Sequence, residues 1–127
     1  MSALIKGVTH VCIKCSPSEL SEVVRFYHTV LGLPIECETA DGIMFSAGNC
    51  SIEVFTDGEE HLPTGAVRHF AFEVNSADDC VKAVSETGYE VFIPARDGVI
   101  ESQPPLNIRY AFCYGPVGEE VEFFEVK

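Results

Sequence analysis

Basic residues are scarce in this chain of 127 residues, which carries eight Lys and Arg against 20 Asp and Glu. The formal net charge is −12 at pH 7. A nucleic-acid-binding protein needs a basic face to neutralise phosphates, so the composition argues against that class. We interpret the excess of acids as a charged surface that keeps the protein in solution.

Long apolar runs are missing as well. No stretch approaches the roughly 20 apolar residues that cross a bilayer, so we predict no contact with a membrane. The first residues, MSALIKGVTH, enter a strand-like pattern directly and lack the apolar centre of a secretory signal. We therefore expect a cytoplasmic protein, and a chain of this length predicts a single domain over residues 1–127.

The six cysteines do not form the pattern of a disulfide framework. They are scattered through apolar segments, where a reduced thiol acts as a small hydrophobic group. Cys12 and Cys15 have the CxxC spacing, but residues three apart on a strand point to opposite faces. This geometry argues against a shared zinc ion or a redox pair.

The chain does contain a repeat, whose first half covers about residues 5–56. A capping-box pattern starts at Ser16, with Pro17 at the first helical position and Glu19 completing the box. Apolar residues then recur at three-to-four-residue spacing, which predicts a helix from about Pro17 to Leu31. The strands predicted around this helix are 5–15, 35–39, 43–47 and 50–56.

After a connector at 57–65, the second half, about residues 66–126, repeats this order. Ser76 with Asp79 predicts the start of a second helix that ends near Gly88. The predicted strands are 66–75, 89–94, 109–114 and 120–126. Residues 97–108 are long for a strand connection and contain two adjacent prolines, so we interpret them as a disordered loop or a functional lid. The predicted fold class is α+β, with two tandem βαβββ modules.

One His and one Glu stand at equivalent positions of the two halves: His10 with Glu53, and His69 with Glu122. Because side chains alternate between the two faces of a strand, each of these residues lies on the face opposite to the apolar neighbours in its strand. A buried carboxylate without a partner is costly, and a divalent cation would compensate both of them. Two imidazoles and two carboxylates suit Zn, Ni, Co or Fe. One isolated His on a strand is usually a structural residue. The same His and Glu pair at equivalent positions of both halves favours a metal site.

Five strings carry a resemblance to a known family: THVCIKC, FYHTVLGL, SIEVF, VRHFAFEV and GPVGEEVEFFEV. In order and spacing they resemble the vicinal oxygen chelate superfamily, which includes glyoxalase I, epimerases, dioxygenases and antibiotic-resistance proteins. The similarity covers nearly the whole chain, and the set of His and Glu is most similar to bacterial glyoxalase I.

This resemblance implies that the modules form an open, curved mixed sheet around a metal cleft. It implies that His10, Glu53, His69 and Glu122 bind one divalent metal ion, Ni, Zn or Co in preference to Fe. The implied activity is that of a lyase or isomerase of the glyoxalase I type. Glu122 is then the expected catalytic base, with Glu53 as its counterpart, and many relatives form homodimers.

Two other functions stay open. One is another metalloenzyme of the same fold, such as an epimerase or a dioxygenase. The other is a small-molecule-binding resistance protein without metal, against which the full set of four metal ligands counts.

A small-molecule substrate is expected in every case, and its binding residues are harder to predict. Glutathione carries two carboxylates, so its enzyme should offer cationic groups around the cleft. Lys14, Arg96 and Arg109 are the candidates, and Lys14 stands where relatives often have Arg. Arg68 should point away from the metal, and His61 is expected to be a solvated residue of the connector.

Overall fold

A computed structural model describes residues 8–60 and 69–127. The predicted strand starts at 5–7 and 66–68, together with His61 and Arg68, lie outside the described residues. No helix within the described ranges is long and apolar enough to span a membrane.

Module one begins with a strand, continues with a helical segment of three types, and ends with three strands. Its elements are β1 (His10–Lys14), a 3₁₀ turn (Pro17–Glu19), α1 (Leu20–Val24), a π-helical segment (Arg25–Val30), β2 (Ile35–Thr39), β3 (Gly42–Ser46) and β4 (Ser51–Phe55). The sheet has the order β1-β4-β3-β2. β1 and β4 are parallel, and the other neighbours are antiparallel.

The helical segment has the predicted extent but not the predicted regularity. At its start the Ser16 N–H donates to the Glu19 carboxylate at 2.9 Å, as the capping-box pattern indicates. Near its end the Leu31 N–H donates to the carbonyl of Phe26, five residues earlier, at 3.0 Å. This wider turn accompanies the complete burial of both Phe26 and Tyr27. The prediction of a single regular α-helix over residues 17–31 is therefore wrong.

Module two repeats the plan with one helix and four strands: β5 (Phe70–Glu73), α2 (Ala77–Glu86), β6 (Val91–Ile100), β7 (Leu106–Tyr114) and β8 (Glu120–Val126). The sheet order is β5-β8-β7-β6, again with a parallel first pair. The predicted helix cap is confirmed, because the Ser76 hydroxyl accepts a hydrogen bond from the Asp79 N–H at 3.1 Å. Two mixed four-stranded sheets confirm the α+β class and the tandem βαβββ plan.

Residues 97–108 are not a disordered loop or a lid. β6 and β7 continue through them as a hairpin, with Asp97 opposite Arg109 and Ile100 opposite Leu106. Only residues 101–105 lie between the two strands. The predicted strands 89–94 and 109–114 are therefore too short.

A shared core draws on both modules. The inner faces of the sheets supply fully buried residues such as Phe45 and Val54 from module one and Val121 from module two. The Tyr27 ring lies 5.7 Å from the Phe45 ring and 6.5 Å from the Phe72 ring, so the first helical segment packs against residues of both modules. The opposite, outer faces of the sheets carry the four candidate metal ligands.

Candidate metal centre

The first candidate pair lies between the two parallel strands of module one. Cys12 lies opposite Glu53 in the register of β1 and β4, and His10 lies two residues earlier on the same face. Ile52 and Val54 of β4 point into the core, which places Glu53 on the outer face. The His10 Nε2 atom lies 3.6 Å from Glu53 Oε1, and the two side chains are 45% and 25% exposed.

The second pair occupies the equivalent place in module two. Ala71 lies opposite Glu122 in the register of β5 and β8, and His69 comes directly before β5. The His69 Nε2 atom lies 3.1 Å from Glu122 Oε1, and the two side chains are 33% and 12% exposed. The repeat read from the sequence therefore produces the same imidazole–carboxylate pair twice.

The surroundings of the second pair are less polar. Burial raises the pKa of the Glu122 carboxyl above its ordinary value, and the neighbouring His69 imidazole opposes this rise. The ring of Phe112 meets the His69 ring edge-on, with 4.9 Å between the centroids. Glu122 is thus a carboxylate with reduced access to water and one close imidazole partner.

A complete metal site is not assembled among residues 8–60 and 69–127, which hold no group of three or more His, Cys, Asp or Glu side chains placed to bind one ion. Each pair offers one imidazole nitrogen and one carboxylate oxygen that face each other. These donors match the ligands that Zn, Ni and Co accept, but two donors are too few for a protein-held site. Each module is therefore half of a candidate centre.

Lys14 and Arg96 lie on the outer faces. Lys14 shares its strand face with His10, and its Nζ atom lies 3.9 Å from the Asp57 carboxylate. Arg96 lies opposite Tyr110, and its Nε–H donates to the Tyr110 hydroxyl at 2.9 Å. Both cations are thus on the same side of their sheet as the candidate pair of their module.

Arg109 lies on the opposite face, towards α2. Its guanidinium donates to the two Asp78 carboxylate oxygens at 2.8 and 3.0 Å and to Asp97 at 3.1 Å. These bonds hold the pKa of the Asp78 carboxyl below its ordinary value and raise that of the guanidinium. Arg109 links α2 to β6 and does not face the side that carries Glu122.

Cys12 and Cys15 occupy opposite sides of module one, as strand alternation predicts. Cys12 is exposed on the outer face, whereas Cys15 follows directly after β1 and is buried in the core. Burial raises the pKa of both thiols. The spacing of the two cysteines therefore does not produce a two-thiol site.

Sequence reasoning missed a cluster of rings on the outer face of module two, the aromatic wall, formed by Phe92, Tyr110, Phe112 and Tyr114. Phe112 lies directly opposite Glu122 in the register of β7 and β8. The signal was available, because three of these residues alternate along one strand and so share a face.

Comparison with known proteins agrees with this architecture. Residues 9–123 match the model of the family described as the Glyoxalase/Bleomycin resistance protein/Dioxygenase superfamily. The uncharacterised protein YwkD of Bacillus subtilis (strain 168) is 28% identical to the chain, over 96% of this chain and 98% of that protein.

Solved structures share the fold, and two of them serve as examples. A glyoxalase family protein from Bacillus anthracis superposes with a TM-score of 0.76 at 23% identity, over the full length of both chains. A lactoylglutathione lyase from Agrobacterium tumefaciens superposes with a TM-score of 0.68 at 14% identity, over 97% of this chain and 96% of that one.

Proposed function

The chain belongs to the Glyoxalase/Bleomycin resistance protein/Dioxygenase superfamily, and we propose that it is a metal-dependent lyase or isomerase of the glyoxalase I type. Its substrate is a small hemithioacetal or a related compound with two neighbouring oxygen atoms. The observation that carries this proposal is the repeated pair, His10 with Glu53 and His69 with Glu122, between the parallel strands of both modules.

The four residues of the two pairs are the proposed ligands of one divalent ion, Ni, Zn or Co. When bound, such an ion supplies a Lewis acid that polarises two adjacent substrate oxygens. His10 is already oriented for this role, because its Nδ1 atom lies 2.9 Å from the Thr9 hydroxyl while its Nε2 atom faces Glu53. A partner on the second ring nitrogen is the usual way in which proteins fix a ligand imidazole.

Glu122 is the proposed base. Its carboxylate takes a proton from one substrate carbon and returns it to the neighbouring carbon, which is the net change of a glyoxalase-type isomerisation. Burial raises its pKa, and a carboxylate with a raised pKa is a stronger base. Glu53 is its proposed counterpart on the other side of the cleft.

Two chains complete each centre in this proposal. One chain brings two half-sites on separate sheets, and each half-site leaves its imidazole partly exposed. In a homodimer with two-fold symmetry, module one of each chain faces module two of its partner. Such a dimer has two centres with four protein ligands each.

Elemental analysis after reconstitution with nickel, zinc or cobalt tests the proposal, together with turnover of the methylglyoxal–glutathione hemithioacetal. We expect about one metal ion per chain, because two four-ligand centres form per two chains. His10→Ala and His69→Ala should each lower the metal content. His28→Ala is the control, because His28 bonds to the Leu33 carbonyl and lies in neither pair.

Metal binding without turnover would support the proposed metal centre but contradict the glyoxalase-type reaction, and would indicate another reaction of the superfamily. A protein that binds no metal under any of these conditions would contradict the proposal.

A further inference from the structure

We propose that Cys37, Met44 and Glu53 form a second metal site, the sulfur row, which binds one soft ion of the Cu(I) type. The three residues lie on neighbouring strands of module one, on the side of Glu53 remote from His10. The site goes beyond the proposed function, because a thiol and a thioether hold its ion and neither imidazole of the candidate pairs is needed.

Strand pairing lines up the three residues across the sheet. Met44 of β3 lies opposite Glu53 of β4 on one side and opposite Cys37 of β2 on the other. Ile43 and Phe45, the neighbours of Met44 along β3, are buried in the core, so Met44 points to the outer face. Residues paired across neighbouring strands share a face, which places both sulfur groups in line with the Glu53 carboxylate.

A small depression in the outer face joins the three residues. Its volume is about 30 Å³, and its lining includes Cys37, Met44, Glu53 and Gly42. A Cβ atom at Gly42 would collide with the backbone carbonyl of Val54, so no side chain can fill the depression from this position. The space is about the share of one water molecule in the liquid, and it therefore suits a single ion and not an organic ligand.

The three donors are accessible. Cys37 is an exposed free thiol, and Met44 is half-buried. The Glu53 Oε1 atom lies 3.6 Å from His10 Nε2, which is too long for a hydrogen bond, so this contact does not fix the carboxylate. The carboxylate can therefore turn towards Met44 when an ion binds there.

This set of donors selects a soft ion. Thiolate and thioether sulfurs prefer Cu(I), whereas hard ions such as Mg²⁺ prefer oxygen ligands. Neighbouring strands lie about 4.8 Å apart, and metal–thiolate bonds are about 2.3 Å long, so the sulfurs of Cys37 and Met44 can share one ion. Glu53 supplies the third ligand and a negative charge.

Competition with the chromophoric chelator bicinchoninate tests the site, because it measures the affinity of the metal-free, full-length protein for Cu(I). The ion is kept reduced with ascorbate under nitrogen. We expect Cys37→Ser to weaken Cu(I) binding at least about 100-fold, because a lost ligand costs more than a lost outer-shell partner. Met44→Leu keeps the apolar volume and should weaken binding about tenfold, because only the sulfur donor is lost.

Cys12→Ser is the matched control. Cys12 is also an exposed thiol opposite Glu53, but β1 is an edge strand of the described sheet, so Cys12 has Glu53 as its one neighbour across the strands. Its variant should change the Cu(I) affinity less than about twofold, because it removes a thiol outside the row. X-ray absorption at the copper edge should show two sulfur neighbours in the unmodified protein and one in Met44→Leu.

Three results would overturn the assignment. The first is a Cys37→Ser variant that binds Cu(I) as tightly as the unmodified protein. The second is an equal loss of affinity in Cys12→Ser and Cys37→Ser. The third is a loss in His10→Ala as large as that in Cys37→Ser, because the ion would then lie in the proposed centre and not in the sulfur row.

Discussion

The two candidate carboxylates occupy equivalent positions in different surroundings. Glu53 is 25% exposed and lies 3.6 Å from its imidazole, whereas Glu122 is 12% exposed and lies 3.1 Å from its own. Less water around Glu122 favours the neutral form of its carboxyl. The two carboxylates therefore differ in their access to water, and our proposal gives proton transfer to Glu122.

Glu122→Gln separates metal binding from proton transfer. The amide oxygen can still bind a divalent ion, but an amide does not take up a proton at neutral pH. We expect the variant to retain much of its metal and to lose at least about 100-fold in kcat, the lower end for loss of a general base. Metal content and kcat are measured on the same preparation. Unchanged turnover would remove Glu122 from the role of base, and Glu86→Gln on exposed α2 provides the control.

Glu119 is a second unusual carboxylate and lies in the turn before β8. Its oxygens accept hydrogen bonds from the Tyr27 hydroxyl at 2.8 Å and the Val117 N–H at 2.9 Å. A Cβ atom at Gly115 would collide with this carboxylate, so the side chain packs closely against the turn. Burial raises the pKa of Glu119 despite both donors.

The raised pKa of Glu119 predicts that the free energy of unfolding falls as the pH rises. Because the folded state holds the proton to a higher pH than the unfolded chain, the unfolding free energy decreases as the pH passes from about 4.5 through the folded pKa. Urea titrations between pH 5 and 8 should show a smaller decrease in Glu119→Gln than in the unmodified protein. Glu86→Gln removes the same charge from an exposed helix position and should follow the unmodified protein. Equal slopes in all three would contradict the assignment.

At the scale of elements, sequence patterns predicted the order of the helices and strands better than their exact bounds and geometry. The cap at Ser16 and the apolar spacing located the first helical segment, because a buried stripe needs such spacing in any helix type. The change to a π-helical turn at Arg25–Val30 was missed. It accompanies the packing of Tyr27 against rings of both sheets, and such packing is not written in the local pattern.

The hairpin at residues 97–108 was missed for a related reason. Alternation of polar and apolar residues marks a strand only where one face is buried. Val99 and Ile100 at the end of β6 are both exposed, so no buried face imposes alternation on this extension. The candidate pairs were easier to find, because each lies opposite buried residues on a half-buried strand.

Ser76→Ala tests how much the cap of α2 contributes to stability. The lost hydrogen bond from the Asp79 N–H to the Ser76 hydroxyl should lower the unfolding free energy by about 1 kcal/mol. Ser76→Asp should retain most of the stability, because Asp is an equally good cap. Ser85→Ala, at an exposed position of the same helix, is the control. Urea unfolding measures all three, and a Ser76→Ala variant as stable as the unmodified protein would contradict the assignment.

At the scale of the whole molecule, the two modules share a core but present their candidate pairs on separate sheets. Phe26 and Tyr89 join the first helical segment to the turn after α2, with ring centroids 4.8 Å apart, and Arg25 donates to the Thr87 carbonyl at 2.9 Å. These contacts bind the modules to each other on the helix side. The two pairs lie on the outer faces, away from these contacts, and our proposal assigns them to centres shared with a second chain.

Mixing two inactive variants tests this arrangement. His10→Ala disables module one and His69→Ala disables module two, so each variant alone has two defective centres per dimer. In a heterodimer of the two, centres built across chains leave one centre with all four ligands and one with two. Random exchange makes about half of the dimers mixed, so about a quarter of the turnover and of the tight zinc binding of the unmodified protein should return. Centres built within one chain would give no recovery, because each chain keeps its own defect. Refolding the variants together and separately, with zinc content and turnover measured on both samples, distinguishes the two arrangements.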